Sequence, residues 1–204
     1  MAQEILSEIL NQLKQVPPAE WVGIFAGTAG VYLSIKEKLF AWPLFITCYL
    51  AYIYLSFHAE LYAALLLNFV FIFISIYGWR NWIHSSKSGH EKFKIQKTPP
   101  SQILIAIVSI VIFTLLLGWG LKNYTTAYLP FLDAFATSCA FVAQWMLSKK
   151  YIENWIFWII ADTIYVGLWS AQGYYVSAVL FLIFICLATK GWFEWKRMVN
   201  PTKC

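Results

Sequence analysis

Read along the chain, apolar residues fall in seven blocks bounded by charge or proline, at about 19–35, 40–57, 61–83, 102–121, 132–148, 151–171 and 174–195. A helix needs about 20 mostly apolar residues to cross the hydrocarbon core, so the pattern predicts seven transmembrane helices with short connections. All seven prolines (Pro17, Pro18, Pro43, Pro99, Pro100, Pro130 and Pro201) sit at or beyond the edge of a block, where a residue lacking an N–H disturbs a helix least. The longest polar stretch, SSKSGHEKFKIQKTPP at 85–100, reads as a loop. Ahead of the first block, MAQEILSEILNQLKQVPP places Ile5, Leu6, Ile9, Leu10 and Leu13 on one stripe, which predicts a short interfacial helix within 1–18. That stretch has neither the basic start nor the cleavage site of a signal peptide.

Composition removes the soluble alternative. Hydrophobic residues make up 60% of the 204 and charged residues 12%, against about 25% charged in soluble domains. The net charge of +5 would elsewhere suggest nucleic acid, but in a membrane protein Lys and Arg report topology. With seven spans, one face holds only Lys14 and Lys122, while the other receives 13 of the 15 basic residues. Basic residues stay cytoplasmic, so the N-terminus is expected outside and the C-terminus inside, and no nucleic-acid partner is expected. Cys48, Cys139 and Cys186 lie in apolar blocks and Cys204 ends the chain, which gives free thiols rather than a disulfide framework.

An internal repeat organises the blocks. Sliding the chain by 113 residues without a gap pairs Lys36 with Lys149, Trp42 with Trp155, Tyr52 with Tyr165, Tyr62 with Tyr175, Gly78 with Gly191, Trp79 with Trp192 and Trp82 with Trp195. Matching helices of the two copies are separated by an even number of crossings, so the copies enter the membrane in the same direction, one of the known transporter designs. The expected fold is an all-α integral membrane protein with seven helices in a 3+1+3 arrangement of two parallel three-helix repeats. The interfacial helix (1–18) leads into the first repeat at 19–83. A cytoplasmic loop at 84–101 and a linker helix at 102–121 join it to the second repeat at 132–196, and 197–204 form a cytoplasmic tail.

Candidate chemistry concentrates on 151–171, where Trp155, Trp158, Asp162, Tyr165 and Trp169 share one helix face. Asp162 is the one acid deep in any block, and an ionisable group there costs roughly 2.5–3.5 kcal/mol on insertion scales, so it reads as functional, or else as a polar tie between helices. The tryptophans read as a site or as an interfacial belt. Asn68, Ser75, Trp79 and Trp82 follow one face of the third block, with Trp82 read as an interfacial anchor. Thr137, Gln144 and Ser148 follow one face of the fifth, and Asn68 and Gln144 either bind or join helices. Gly23, Gly27 and Gly30, with Thr28, suggest close helix packing. No Lys or Arg waits at midplane, so the expected ligand is a cation whose charged ring stacks on tryptophan, and a phosphorylated form should be excluded. His58, His84 and His90 all lie at block ends or in loops, which argues against a metal site or a serine–histidine mechanism, so no enzyme, cofactor or metal is expected.

These residues resemble the PnuC vitamin transporters, which share the fold of the SWEET sugar transporters. The resemblance rests on LYAALLLNFVFIFISIYGWRNW at 61–82, on KKYIENWIFWIIADTIYVGLWSAQGYY at 149–175 and on the 3+1+3 layout. It implies a homotrimer in the bacterial inner membrane that takes up nicotinamide riboside by facilitated diffusion, with a cytoplasmic kinase trapping the product for NAD synthesis. The family's ENWxxW segment maps to Glu153, Asn154, Trp155 and Trp158, its YGW segment to Tyr77, Gly78 and Trp79, and its glutamine to Gln144. Cys48, Asn68 and Asp162 stand where nicotinamide riboside carriers tend to have Asn, Gln and Asn, so thiamine, the cargo of the related PnuT branch and also a cationic ring, is the alternative.

Overall fold

Pro18, Pro100 and Pro130 each open a helix, their fixed φ suiting the first turn and their missing N–H costing nothing there. In the computed structural model, which describes residues 2–59, 62–88 and 94–199, the chain is all helical apart from its connections. The helices are α1 (Ala2–Gln15), α2 (Pro18–Ile35), α3 (Ala41–His58), α4 (Tyr62–Ser88), α5 (Pro100–Tyr124), α6 (Pro130–Ser148), α7 (Asn154–Ala171) and α8 (Tyr175–Val199). His90, Lys92, Lys203, Pro201 and Cys204 lie outside the described residues. Each of the seven apolar blocks coincides with one of α2 to α8. Four of these helices are long and apolar enough to cross a membrane by length and composition, those containing 64–84, 100–124, 130–148 and 175–199. The others, α2, α3 and α7, have 18 residues each, about 27 Å of helix, and carry polar groups such as Glu20 and Asp162 that lower their hydropathy.

Packing closes a ring. Helix α2 contacts α3, α3 contacts α4, α4 contacts α6, α6 contacts α7, α7 contacts α8, and α8 returns to α2. Helix α5 packs on α6 alone and α1 on α8 alone among the described residues. Small residues set the closest approaches: Gly27 meets the Cys48 sulfur, and the ring of Phe45 lies across Gly30, joining α2 tightly to α3. On α1, Ile9 and Leu13 are half-buried while Leu6 and Leu10 are exposed, and the Ile5 side chain is outside those described.

The connection between α4 and α5 differs from the sequence reading in two ways. Helix α4 runs on through Ser88, so the connection to α5 is shorter than the polar stretch at 85–100 suggests. Its last part is docked rather than free. Gln96 pairs by backbone hydrogen bonds with Lys150 and Ile152, and Glu153 accepts hydrogen bonds from the Thr98 N–H (2.8 Å) and hydroxyl (2.5 Å).

The 113-residue offset has direct structural counterparts. After α2 the Lys38 N–H returns to the Leu33 carbonyl, and after α6 the Tyr151 N–H returns to that of Met146, the same helix-ending motif at equivalent positions. The residue forced into the left-handed region is Glu37 (φ 53°) in one and Lys150 (φ 56°) in the other, a conformation that costs a non-glycine residue roughly 1–2 kcal/mol. Trp42 and Trp82 meet edge to face at 5.3 Å, as do Trp155 and Trp195 at 5.3 Å. Trp42 lies flat on Gly78, and Trp155 on Gly191. A methyl group on Gly191 would come within 2.6 Å of the Trp155 ring, and one on Gly78 would collide with Trp42. Gly78→Ala and Gly191→Ala are therefore each expected to destabilise the fold by about 1–3 kcal/mol through overpacking. Thermal unfolding in detergent checks this, and an unchanged melting temperature would show that the rings can move aside.

Candidate functional site

The ring of helices encloses a cavity of about 550 Å³, within the range of small-molecule sites. Helix α7 supplies its most distinctive wall, since Trp155, Trp158, Asp162, Tyr165 and Trp169 all line it as their common face predicts. Asn68 lines it from α4, with its amide N–H donated to the Ala64 carbonyl at 2.8 Å, which leaves the amide oxygen for a ligand. Asp162 is 3% exposed and accepts no hydrogen bond among the described residues. Among the described residues no group of another helix holds its carboxylate. Tyr165 shares a 2.8 Å hydrogen bond with Thr137 of α6 and stacks on Phe181.

Three candidates stand elsewhere. Gln144 is buried between α6 and α4, donating to the Ser75 hydroxyl (3.2 Å), which itself donates to the Phe71 carbonyl. Tyr77 is 41% exposed, with the Lys149 ammonium 4.8 Å from its ring centre. Trp79 packs against the cluster that closes one end of the cavity. Helical periodicity shows which residues share a face, but not which neighbour that face meets.

Two acids that sequence reasoning passed over also line the cavity, Glu20 in the first turn of α2 and Asp133 in the first turn of α6. They are separated by the repeat offset of 113, which was the available signal. Among the described residues the lining therefore holds three carboxylates and no Lys, Arg or His. A site so composed favours a cationic guest and disfavours an anionic one, since a buried phosphate would find no counter-charge.

One end of the cavity is shut by Ile35, Trp42, Trp82, Trp155 and Trp195, all at most 2% exposed. Trp82 is thus no interfacial anchor. Its indole N–H crosses to the Leu147 carbonyl (3.3 Å), and that of Trp195 crosses the other way to the Ile35 carbonyl (3.0 Å). Tryptophan near a helix end suits a membrane belt by default, but here the helix ends converge and bury it. Two ion pairs bridge the same end: Glu37 with Lys150 at 2.7 Å, and Lys36 with Glu194 at 2.9 Å. The Lys150 ammonium also sits 4.7 Å from the Trp82 ring centre. The bond to Glu194 holds the Lys36 ammonium above the ordinary lysine range. Each of these contacts joins a residue of 19–83 or its flanking turns to one of 132–196.

Comparison with known proteins fits this arrangement. A chain from Escherichia coli (strain K12), the nicotinamide riboside transporter PnuC, is 26% identical over 200 residues, covering 86% of this chain and 84% of that protein. The riboflavin/roseoflavin transporter RibM of Streptomyces davaonensis is 22% identical over 179 residues, covering 87% and 84%. The crystal structure of the vitamin B3 transporter PnuC superposes with a TM-score of 0.72 at 20% identity, covering 99% of this chain and 92% of that one, so the two share a fold. The profile of the family described as Nicotinamide mononucleotide transporter matches residues 17–197, and a cavity-forming helical bundle matched over that span belongs to this membrane transporter family.

Proposed function

We propose that the protein carries nicotinamide riboside across the bacterial inner membrane by facilitated diffusion. The observation that carries this reading is the cavity lining: three carboxylates, an aromatic wall on α7 and no basic residue. The pyridinium ring would lie against Trp158 or Trp169, gaining about 0.5–2 kcal/mol per good contact once desolvated, with Asp162 compensating its charge. Asn68 and Tyr165 would hydrogen-bond the ribose or the carboxamide. Trp155 forms the floor, and its indole N–H, buried without a partner among the described residues, would be a donor for the guest. Gln144 supports the site from behind, while Trp79 and Tyr77 belong to its basic end. The family description names the mononucleotide, but its phosphate has no partner in this cavity, which favours the riboside.

In this reading all of α2 to α8 span the membrane in a SWEET-like 3+1+3 layout, with α5 returning the chain between two parallel repeats. The basic, ion-paired end faces the cytoplasm and α1 lies at the outer interface. The two halves rock about the site to expose it alternately. The chain assembles as a homotrimer, and a cytoplasmic kinase traps the product. Thiamine is the second reading, because the same carboxylates and tryptophans suit any cationic aromatic ring.

Titrating the purified protein with nicotinamide riboside, nicotinamide mononucleotide and thiamine while following tryptophan fluorescence tests the assignment. Saturable quenching by the riboside alone is expected. Quenching by thiamine alone would keep the cation site and change the cargo, and quenching by the mononucleotide would refute the charge argument.

A further inference from the structure

A second cavity of about 330 Å³ adjoins the first, walled by α1, the turn between α7 and α8, and the first turns of α2 and α8. One side chain secures α1 there. Gln12 donates to the Gly173 carbonyl (2.7 Å) and accepts from the Val176 N–H (3.2 Å), clasping the turn from both sides. That turn needs glycine, because residue 173 has φ +80°.

The two cavities share Glu20, Val176 and Ser177 in their linings and so adjoin at these residues. Glu20 is the charged residue common to both linings, Glu8 stands on the outer side, and Asp133 and Asp162 stand on the inner. Neither lining includes a Lys or Arg, and the Glu20 carboxylate accepts no hydrogen bond among the described residues. A carboxylate in a first turn is favoured by the helix dipole, which accounts for its tolerance but not for its place between the two cavities. The second observation is Asp162, 3% exposed, without a hydrogen-bond partner among the described residues and lining the adjoining first cavity.

We propose that α1 builds an antechamber and that Glu20, where it adjoins the first cavity, is a specificity-determining residue that draws positively charged substrate inward and repels phosphorylated or otherwise anionic forms. This rests on the cationic substrate proposed above, and it assigns α1 a part in entry. A fixed charge on an approach path acts mainly on association rate and is screened by salt.

The test is stopped-flow tryptophan quenching on the full-length protein. Glu20→Gln is expected to slow association of nicotinamide riboside about three- to tenfold at low ionic strength. Salt should slow the wild type more steeply than the variant, whose remaining carboxylates keep a weaker dependence, so that the two rates converge. Dihydronicotinamide riboside, of similar shape but neutral, should associate equally fast with both. Gln15→Lys, at an exposed position on α1 that lines the second cavity, adds a positive charge to the same field without touching the Gln12 clasp and should also slow the cation alone. Unchanged rates in both variants, or equal slowing of the neutral compound, would overturn the proposal. A wild type that binds thiamine and not the riboside would refute the cargo assignment alone, since the same comparison then runs with thiamine under the same expectations.

Discussion

Replacing Asp162 with alanine is expected to weaken substrate binding at least a hundredfold while leaving the fold intact. A cation about 4 Å from the carboxylate gains about 4 kcal/mol at an effective dielectric constant of 20, close to three decades of affinity. Asp162→Asn should lose nearly as much, because it keeps the shape and removes the charge. Neither change should lower the melting temperature. The carboxylate has no hydrogen-bond partner among the described residues, and placing an ionised group at that depth is itself costly, so the substitution removes a burden from the empty protein. Paired fluorescence titrations and thermal unfolding decide the matter. Undiminished affinity would remove the charge argument, and a joint loss of affinity and stability would return Asp162 to a structural role.

The second large effect is expected at the closed end. Glu37→Lys would set two ammonium groups together where a 2.7 Å ion pair now stands, with the Lys150 side chain only 11% exposed. Turning that attraction into repulsion should disfavour closure by about 2–4 kcal/mol. Cys48 lines the cavity and provides the readout. With Cys139, Cys186 and Cys204 changed to serine, a membrane-impermeant thiol reagent applied from the basic face should label Cys48 tenfold faster or more in Glu37→Lys. The charge swap Glu37→Lys with Lys150→Glu should restore slow labelling. Labelling that ignores both changes would mean that the tryptophans alone hold this end shut.

Much of this architecture is written locally in the chain. Blocks of apolar residues position the helices because burial in lipid demands them. The α7 face is legible because five large or charged residues keep helical spacing. Even the packing of Trp42 on Gly78 and of Trp155 on Gly191 is foreshadowed by one common offset. What escapes is what depends on a partner. Glu20 and Asp133 look like ordinary first-turn carboxylates until the cavity between α2 and α6 is seen. Gln144 carries the same polarity whether it meets a ligand or Ser75. Trp82 lies where a belt residue would lie, and only the carbonyl of Leu147 shows that its N–H faces protein. Residues 95–99 read as a loop because the groups that fix them, Lys150, Ile152 and Glu153, are more than 50 residues away.

The Glu37–Lys150 pair also bears on ancestry. The two residues are counterparts under the 113-residue offset, share the same left-handed backbone and touch each other. In an assembly of two identical three-helix units, each would have faced a copy of itself, and like charges at that distance repel. Opposite signs at one self-facing position require that the copies already differ, which joining them through α5 into a single chain permits and a symmetric pair of separate subunits forbids. The ion pair therefore requires copies that differ at this position, and it marks a place where the two halves are no longer interchangeable.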